Sequence, residues 1–150
     1  MNYYRKCQVK FMIDAKLLVE KAYEAQKFAY TPYSGFNVGA ALLGTNGKIY
    51  LGCNIENAAF SPTNCAERTA FFKAISEGQR EFLAIAIVGN KDDAENTEYC
   101  APCGVCRQVL AEFCDPKTFK IYLAKNKDDF KEYLLEELLP LGFTSKDLDR

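Results

Sequence analysis

The sequence predicts an α/β protein, a three-layer α/β/α sandwich around a mixed, roughly five-stranded central sheet. Three features of the chain carry this prediction. Apolar residues recur at spacings of three and four over 13–30, which indicates an amphipathic helix. The pair Asn46-Gly47 lies between two strand-like segments, which is typical of a hairpin. The run Phe82–Val88 is apolar at every position, as expected of a strand covered on both faces.

The predicted elements follow the order αββαβαβ, with one further segment at the end. In chain order they are a helix over 13–30, strands Phe36–Gly44 and Lys48–Asn54, a helix over about 65–77, strand Phe82–Val88, a helix from Pro102 to about Phe113, strand Thr118–Ala124 and a short final segment, Phe130–Leu139.

Turn and breaker residues set the predicted ends of these elements. Pro32 and Gly35 break the first helical pattern, and Gly78 ends the second helix. The third helix is predicted to begin at Pro102, because the missing N–H of proline has no partner in a first turn anyway. The polar stretch Asn90–Glu98 is predicted to be a loop.

The bulk composition restricts the class of protein. At 150 residues the chain is expected to form one domain, 1–150. Its net charge of −1 offers no basic excess for a nucleic acid polymer or an anionic membrane. No stretch is apolar enough for a signal peptide or a membrane span, so a cytoplasmic protein is expected. In that compartment the seven cysteines are predicted to be thiols or metal ligands rather than disulfides.

The chemistry of the chain is concentrated in two motifs, Cys65-Ala66-Glu67 and Pro102-Cys103-Gly104-Val105-Cys106. Each lies at the predicted start of a helix, where partial positive charge and free N–H groups stabilise a thiolate. The three cysteines can hold one Zn²⁺ per chain and leave the fourth coordination position open. The sequence contains no histidine, so this is an all-cysteine form of the H-x-E and P-C-x-x-C motifs of zinc deaminases.

Two side chains beside the thiols fit a catalytic site. Glu67, two residues after the first ligand, is predicted to reach a zinc-activated water without binding the metal and to carry its proton. Arg68 is predicted to donate hydrogen bonds to the ligand sulfurs. This combination suits the hydrolytic loss of ammonia from an amino-substituted ring carbon.

Three other interpretations remain open. Cys100 extends the run to Cys100-x-x-Cys103-x-x-Cys106 and permits a closed structural Cys₄ site, although such a site gives Glu67 no role. A non-catalytic module stabilised by zinc and built to bind a partner is a related hypothesis. A thiol redox protein would use the Cys103/Cys106 pair and leave Cys65 without a purpose.

Several ordered motifs resemble those of the homotetrameric (small-subunit) zinc-dependent cytidine deaminase family. They are Tyr33–Leu42, Gly52–Ala58, the zinc motifs Cys65–Ala70 and Pro102–Gln108, and Leu138–Phe143. The resemblance extends from about residue 13 to residue 148. It implies a cytidine deaminase-like fold and the hydrolytic deamination of cytidine and deoxycytidine to uridine and deoxyuridine, in pyrimidine salvage.

The resemblance also assigns the central chemistry. It implies that Cys65, Cys103 and Cys106 ligate zinc. It further implies that Glu67 moves protons between the water, the pyrimidine N3 and the departing amine.

The remaining site residues come from the same resemblance. Ala66 is expected to offer its backbone N–H to the ring O2, and Phe36 to pack against the base. Asn54 and Glu56 are expected to bind the sugar hydroxyls, chiefly the 3′-OH. Phe143 is expected to close over the base from a neighbouring subunit, which implies a homotetramer with shared active sites. Taken singly, the two phenylalanines also fit a core, and the polar pair also fits a solvated strand edge.

Two departures from the family pattern stand out. Phe60 occupies a position where many relatives have Tyr, and the segment 90–100 is longer than usual.

Within the same fold, a deaminase of a cytosine-containing antibiotic such as blasticidin S is the alternative function.

Overall fold

Helices and strands alternate along the residues that a computed structural model of the chain describes, 12–92 and 98–148. In chain order they are α1 Ala15–Gln26, β1 Phe36–Gly44, β2 Ile49–Cys53, α2 Ala66–Ser76, β3 Phe82–Lys91, α3 Gly104–Phe113, β4 Lys120–Asn126, β5 Asp129–Leu134, α4 Leu135–Leu138 and a 3₁₀ turn, Ser145–Asp147.

The strands form one mixed sheet in the order β2-β1-β3-β4-β5. β1 pairs antiparallel with both β2 and β3, β3 pairs parallel with β4, and β4 pairs antiparallel with β5. The β1–β2 hairpin closes with Leu43 opposite Ile49, around the predicted Asn46-Gly47 turn. The mixed five-stranded sheet is therefore confirmed.

Helices cover both faces of this sheet. On β3, Ala84, Ala86 and Val88 belong to the core cluster under α1. Ile85 and Ile87 alternate with them and belong to the larger cluster under α2, α3 and α4. The three-layer arrangement and the burial of β3 on both faces are as predicted.

The predicted end of the first helix and the predicted start of the third helix are wrong. The first helix ends at Gln26 rather than at residue 30, because Tyr30 pairs with a distant segment. Its N–H donates to Asn54 O at 3.0 Å and its carbonyl accepts from Glu56 N at 2.8 Å. The third helix begins at Gly104 rather than at Pro102, since Cys103 is its extended N-cap, with φ −67° and ψ 166°.

Other boundaries differ by smaller amounts. β3 extends to Lys91, into the predicted loop Asn90–Glu98, and residues 93–97 of that loop lie outside the described residues. The final segment is two elements, β5 and the short α4, rather than one. β1 has the predicted bounds, and the ends of β2, α2 and β4 differ from prediction by a residue or two.

Gly52 determines how α2 sits on the sheet. A Cβ at this position would lie 2.3 Å from Ala66 O and 2.5 Å from Ala70 N, distances that no side chain tolerates. Only glycine therefore lets the first turn of α2 lie this close to β2. Among the described residues, no helix is long and apolar enough to cross a membrane.

Candidate active site

The three predicted metal ligands meet between the N-termini of α2 and α3. Cys65 is the N-cap of α2 and Cys103 is the N-cap of α3, and neither side chain makes a capping hydrogen bond. Cys106 is buried in the first turn of α3. The three Sγ atoms lie within 4.8 Å of one another. Two helix N-termini therefore present three sulfurs to one point.

This set of donors fits zinc. A tetrahedral centre with Zn–S bonds of about 2.3 Å places two sulfurs about 3.8 Å apart. The Sγ atoms of Cys65 and Cys103 are 3.8 Å apart, and a thiolate-rich site favours zinc over harder cations. Cys100 is not a member of the cluster among the described residues, so the closed Cys₄ hypothesis lacks its fourth ligand.

Neighbouring groups stabilise a thiolate at Cys65. Arg68 Nη2 donates to the Cys65 sulfur at 3.5 Å. Hydrogen bonds from Cys106 and then from Arg68 hold the pKa of Cys65 well below its usual range. The bond to the Cys65 sulfur and burial raise the pKa of Cys106. Metal binding therefore has to release the Cys106 proton.

Glu67 is the buried polar side chain of the described residues, with 4% of its surface exposed. It lies in the first turn of α2, two residues after Cys65. Burial raises the pKa of Glu67 to about 7, against the opposing effect of a hydrogen bond from its own backbone N–H. A carboxyl group with such a pKa both accepts and donates a proton near neutral pH.

A second group of predicted residues lies where β1 begins and β2 ends. The Asn54 carboxamide bridges to β1: Nδ2 donates to Phe36 O at 2.8 Å, and Oδ1 accepts from Val38 N at 2.9 Å. One Nδ2 hydrogen remains for a ligand. The Asn54 side chain is thus an ordered part of the β1–β2 junction rather than a solvated edge. The Glu56 carboxylate, two residues further on, accepts hydrogen bonds from the turn before β1.

Cys100 lies beside Phe36, and the motifs in the sequence predicted no catalytic role for it. A Cβ on Gly89 would lie 2.8 Å from Cys100 Sγ and 3.0 Å from the Phe36 ring, so the thiol and the ring are neighbours. Burial, followed by the charges of Glu67 and Cys65, raises the pKa of Cys100 to about 12. A neutral thiol therefore lies beside the aromatic ring. In the sequence, only its position three residues before Cys103 indicates that Cys100 lies near the site.

The last two predicted residues occupy different environments. Ala66 is fully buried and is the first residue of α2, where backbone N–H groups have no partner within the helix. Phe143 is 58% exposed, which excludes a core position within this chain. Its carbonyl accepts from Gln108 Nε2 at 2.9 Å, which holds the C-terminal segment against α3.

Comparisons with known proteins agree with this geometry. Residues 12–122 match the family model described as the cytidine and deoxycytidylate deaminase zinc-binding region. The chain is 49% identical over 136 residues to a cytidine deaminase from Sporosarcina psychrophila, over 91% of this chain and 96% of that one. It is 48% identical over 137 residues to a cytidine deaminase from Halalkalibacterium halodurans, over 91% and 99% of the two chains. The crystal structure of a cytidine deaminase from Burkholderia pseudomallei is similar with a TM-score of 0.78 and 45% identity, over 88% of this chain and 100% of that one.

A buried glutamate beside three thiols at helix N-termini defines the zinc-dependent class of deaminases. The chain belongs to the cytidine deaminase family. The predicted fold class, the predicted class of enzyme and the predicted zinc cofactor are confirmed.

Proposed function

We propose that this protein is a zinc-dependent deaminase that hydrolyses cytidine and deoxycytidine to uridine and deoxyuridine, releasing ammonia, in pyrimidine salvage. The observation that carries the proposal is the buried Glu67 beside three clustered thiols at two helix N-termini. Zn²⁺ held by Cys65, Cys103 and Cys106 supplies, when bound, a Lewis acid that acidifies a water molecule.

Glu67 carries the protons in the proposed reaction. It takes one proton from the attacking water and passes it to the ring N3. It then takes the second proton from the hydroxyl group added at C4 and delivers it to the departing amine, as the C4–N bond breaks and the C4 carbonyl forms. Water and cytidine thereby become uridine and ammonia. Burial supports this role, because it raises the pKa of Glu67 in the metal-free chain to about 7. General acid–base catalysis of this kind contributes a factor of about 10²–10⁴.

The substrate is bound by the residues around the β1–β2 junction and the start of α2. The unpaired N–H of Ala66 donates to the ring O2. Phe36 packs against the base, and the free Nδ2 hydrogen of Asn54 and the Glu56 carboxylate bind the sugar hydroxyls. The half-buried position of Phe36 and the hydrogen-bonded carboxamide of Asn54 support this assignment.

The protein acts as a homotetramer in which Phe143 closes the site of a neighbouring subunit. The closing segment supports this, because two of its apolar side chains are exposed to solvent: Leu141 fully and Phe143 by 58%. Leu141 also has a φ of 55°, a left-handed conformation that costs about 1–2 kcal/mol for a residue with a side chain. A neighbouring subunit would bury this apolar surface and offset that cost.

Each chain is one catalytic domain, 1–150, that works in the cytoplasm on free nucleosides. Neither a nucleic acid polymer nor a membrane is a partner. The net charge of −1 supports this proposal, because polynucleotide substrates are held by basic channels.

A substrate panel tests the proposed function. Protein carrying one zinc per chain is incubated with cytidine, deoxycytidine, blasticidin S and a cytosine-containing single-stranded oligonucleotide, and deamination is followed by absorbance. We expect turnover of the two nucleosides alone. Turnover of the antibiotic alone would reassign the protein to antibiotic deamination. A zinc-replete protein that converts none of the four would favour the non-catalytic zinc module, and a zinc content well below one per chain would contradict the assigned cofactor.

A further inference from the structure

The hydroxyl group of Ser34 joins two residues of the proposed substrate site. Ser34 Oγ donates a hydrogen bond to Glu56 Oε1 and accepts one from the backbone N–H of Phe36 at 3.0 Å. Glu56 is assigned to the sugar and Phe36 to the base. One small side chain therefore lies between the groups that recognise the two halves of a nucleoside.

The turn that contains Ser34 also holds the other carboxylate oxygen. The backbone N–H groups of Tyr33 and Ser34 donate to Glu56 Oε2 at 2.9 and 3.2 Å. Gly35 makes this turn possible, because its φ of 64° is a left-handed conformation that glycine adopts without strain. The Glu56 carboxylate is thus oriented by three donors from one turn.

The bonding capacity of the carboxylate leaves room for one further donor. An ionised carboxylate has about four acceptor positions, two on each oxygen. Oε2 accepts two backbone N–H groups and Oε1 accepts the Ser34 hydroxyl, so one position remains on Oε1. The hydrogen bond from Ser34 and those from the two N–H groups lower the pKa of Glu56, so the group remains an acceptor. A sugar hydroxyl fits the remaining position.

We propose that Ser34 is a positioning residue for sugar recognition. Its hydroxyl fixes the Glu56 carboxylate in the orientation that leaves one Oε1 acceptor position for the 3′-OH of the nucleoside. Through the Phe36 N–H, the same hydroxyl ties that orientation to the start of β1, where the base binds. The inference rests on the proposed function and names the residue that sets its sugar specificity.

Kinetics on two substrates test this proposal. The values of kcat/KM for cytidine and for 3′-deoxycytidine, which lacks the hydroxyl group at issue, are measured for the zinc-loaded full chain and for Ser34→Ala. We expect Ser34→Ala to lower kcat/KM for cytidine about five- to twentyfold, mainly through KM, because a hydrogen bond to a charged group is lost. For 3′-deoxycytidine the change in kcat/KM should stay within about twofold, because this substrate has no 3′-OH for Glu56 to bind.

Three further variants make the test specific. Ser34→Thr keeps the hydroxyl group and is expected to retain most of the activity on cytidine. In a Glu56→Gln background, Ser34→Ala should have little further effect, since the two residues act through one contact. Ser76→Ala is the matched control, because Ser76 is an exposed serine whose hydroxyl donates to Lys73 O at 2.8 Å, at the far end of α2.

The outcomes separate this inference from the proposed function. A wild-type protein that does not convert cytidine overturns both. If the wild type converts cytidine, an equal loss on the two substrates in Ser34→Ala overturns the positioning role alone, because a general structural defect does not depend on the 3′-OH. A wild type that does not distinguish the two substrates overturns it as well.

Discussion

Titratable side chains at the two helix N-termini are held in different protonation states. Hydrogen bonds lower the pKa of Cys65, whereas the pKa of Cys106 and that of Glu67 are raised. Before metal binding, these opposite shifts leave Cys65 as a thiolate and keep protons on Cys106 and Glu67. This separation is typical of catalytic centres, where environment rather than residue type sets the role of each group.

Arg68 is expected to help retain zinc. Its guanidinium donates to the Cys65 sulfur at 3.5 Å, and groups that bond to metal ligands typically affect metal affinity by a factor of about 10–100. We expect Arg68→Gln to release zinc to a chelator about tenfold faster, as measured with a chromogenic zinc indicator. Arg80→Gln is the control, since Arg80 bonds to backbone carbonyls at the far end of α2. Equal release rates in all three proteins would contradict the role of Arg68.

Glu67 is expected to destabilise the zinc-free protein at alkaline pH. Its pKa is about 7 in the folded chain and 4.5 in an unperturbed carboxyl group. The protonated form is therefore the one that the fold favours. Stability is highest below the unfolded value and falls as pH rises from 4.5 through about 7. Above that range the buried charge costs on the order of 3 kcal/mol.

The substitution Glu67→Gln removes this pH dependence. In urea denaturation of the zinc-free proteins, the variant should be more stable than the wild type at about pH 8, and the difference should shrink markedly at about pH 5. Glu20→Gln, on the exposed face of α1, should show neither effect. A stability difference that is the same at both pH values would mean that Glu67 is not a buried carboxyl group with a raised pKa.

At the scale of elements, the site depends on how closely α2 lies against the sheet. α2 packs on β1 and β2 and contacts α3. Its first turn carries Cys65 and Glu67, and the approach to β2 at Gly52 sets the position of that turn. The geometry of the thiol cluster is therefore fixed by a backbone contact outside the cluster.

Gly52→Ala should accordingly disturb both stability and the site. The added methyl group would lie 2.3 Å from Ala66 O, so α2 has to shift away from β2. Overpacking of this kind costs about 1–3 kcal/mol, and we expect a lower Tm and weaker zinc retention. Gly104→Ala is the stability control, because a Cβ there meets nothing within 4 Å. A Gly52→Ala protein with the wild-type Tm would show that the contact does not constrain α2.

Local chemistry made several elements predictable. The Asn46-Gly47 turn and the stop at Gly78 depend on residues at the turn itself, and both are where the sequence placed them. The end of α1 was not predictable in this way. Residues 27–30 continue the apolar spacing, but Tyr30 is extended because its backbone pairs with residues near Asn54, which is a long-range contact.

The site residues also divide into those set by local sequence and those set by long-range contacts. The thiols and Glu67 were predictable because their spacing is contained within two short motifs. Ser34 and Cys100 were not, because their places depend on Glu56 and on Gly89, which are distant in the sequence. Positioning groups of this kind become visible only when the fold brings the segments together.

At the scale of the whole molecule, the proposed tetramer predicts complementation between two inactive variants. Glu67→Gln lacks the proton carrier but retains Phe143, and Phe143→Ala has the opposite defect. In mixed oligomers an intact Glu67 can meet an intact Phe143 from its neighbour. We expect co-expressed chains to be more active than the sum of the separate variants, with a mass by light scattering of four times the 16.9 kDa chain. Activity no higher than that sum would place Phe143 outside the neighbouring site.

The most direct measurement is ammonia release from cytidine by the wild type and by Glu67→Gln, each verified to carry one zinc per chain. The buried carboxyl group of Glu67 beside the thiol cluster predicts release by the wild type. It also predicts a loss of at least about 10²-fold in the variant, since the proton carrier is gone while the metal remains. A variant as fast as the wild type would remove Glu67 from the proton path, and a zinc-replete wild type that releases no ammonia would contradict the proposed reaction itself.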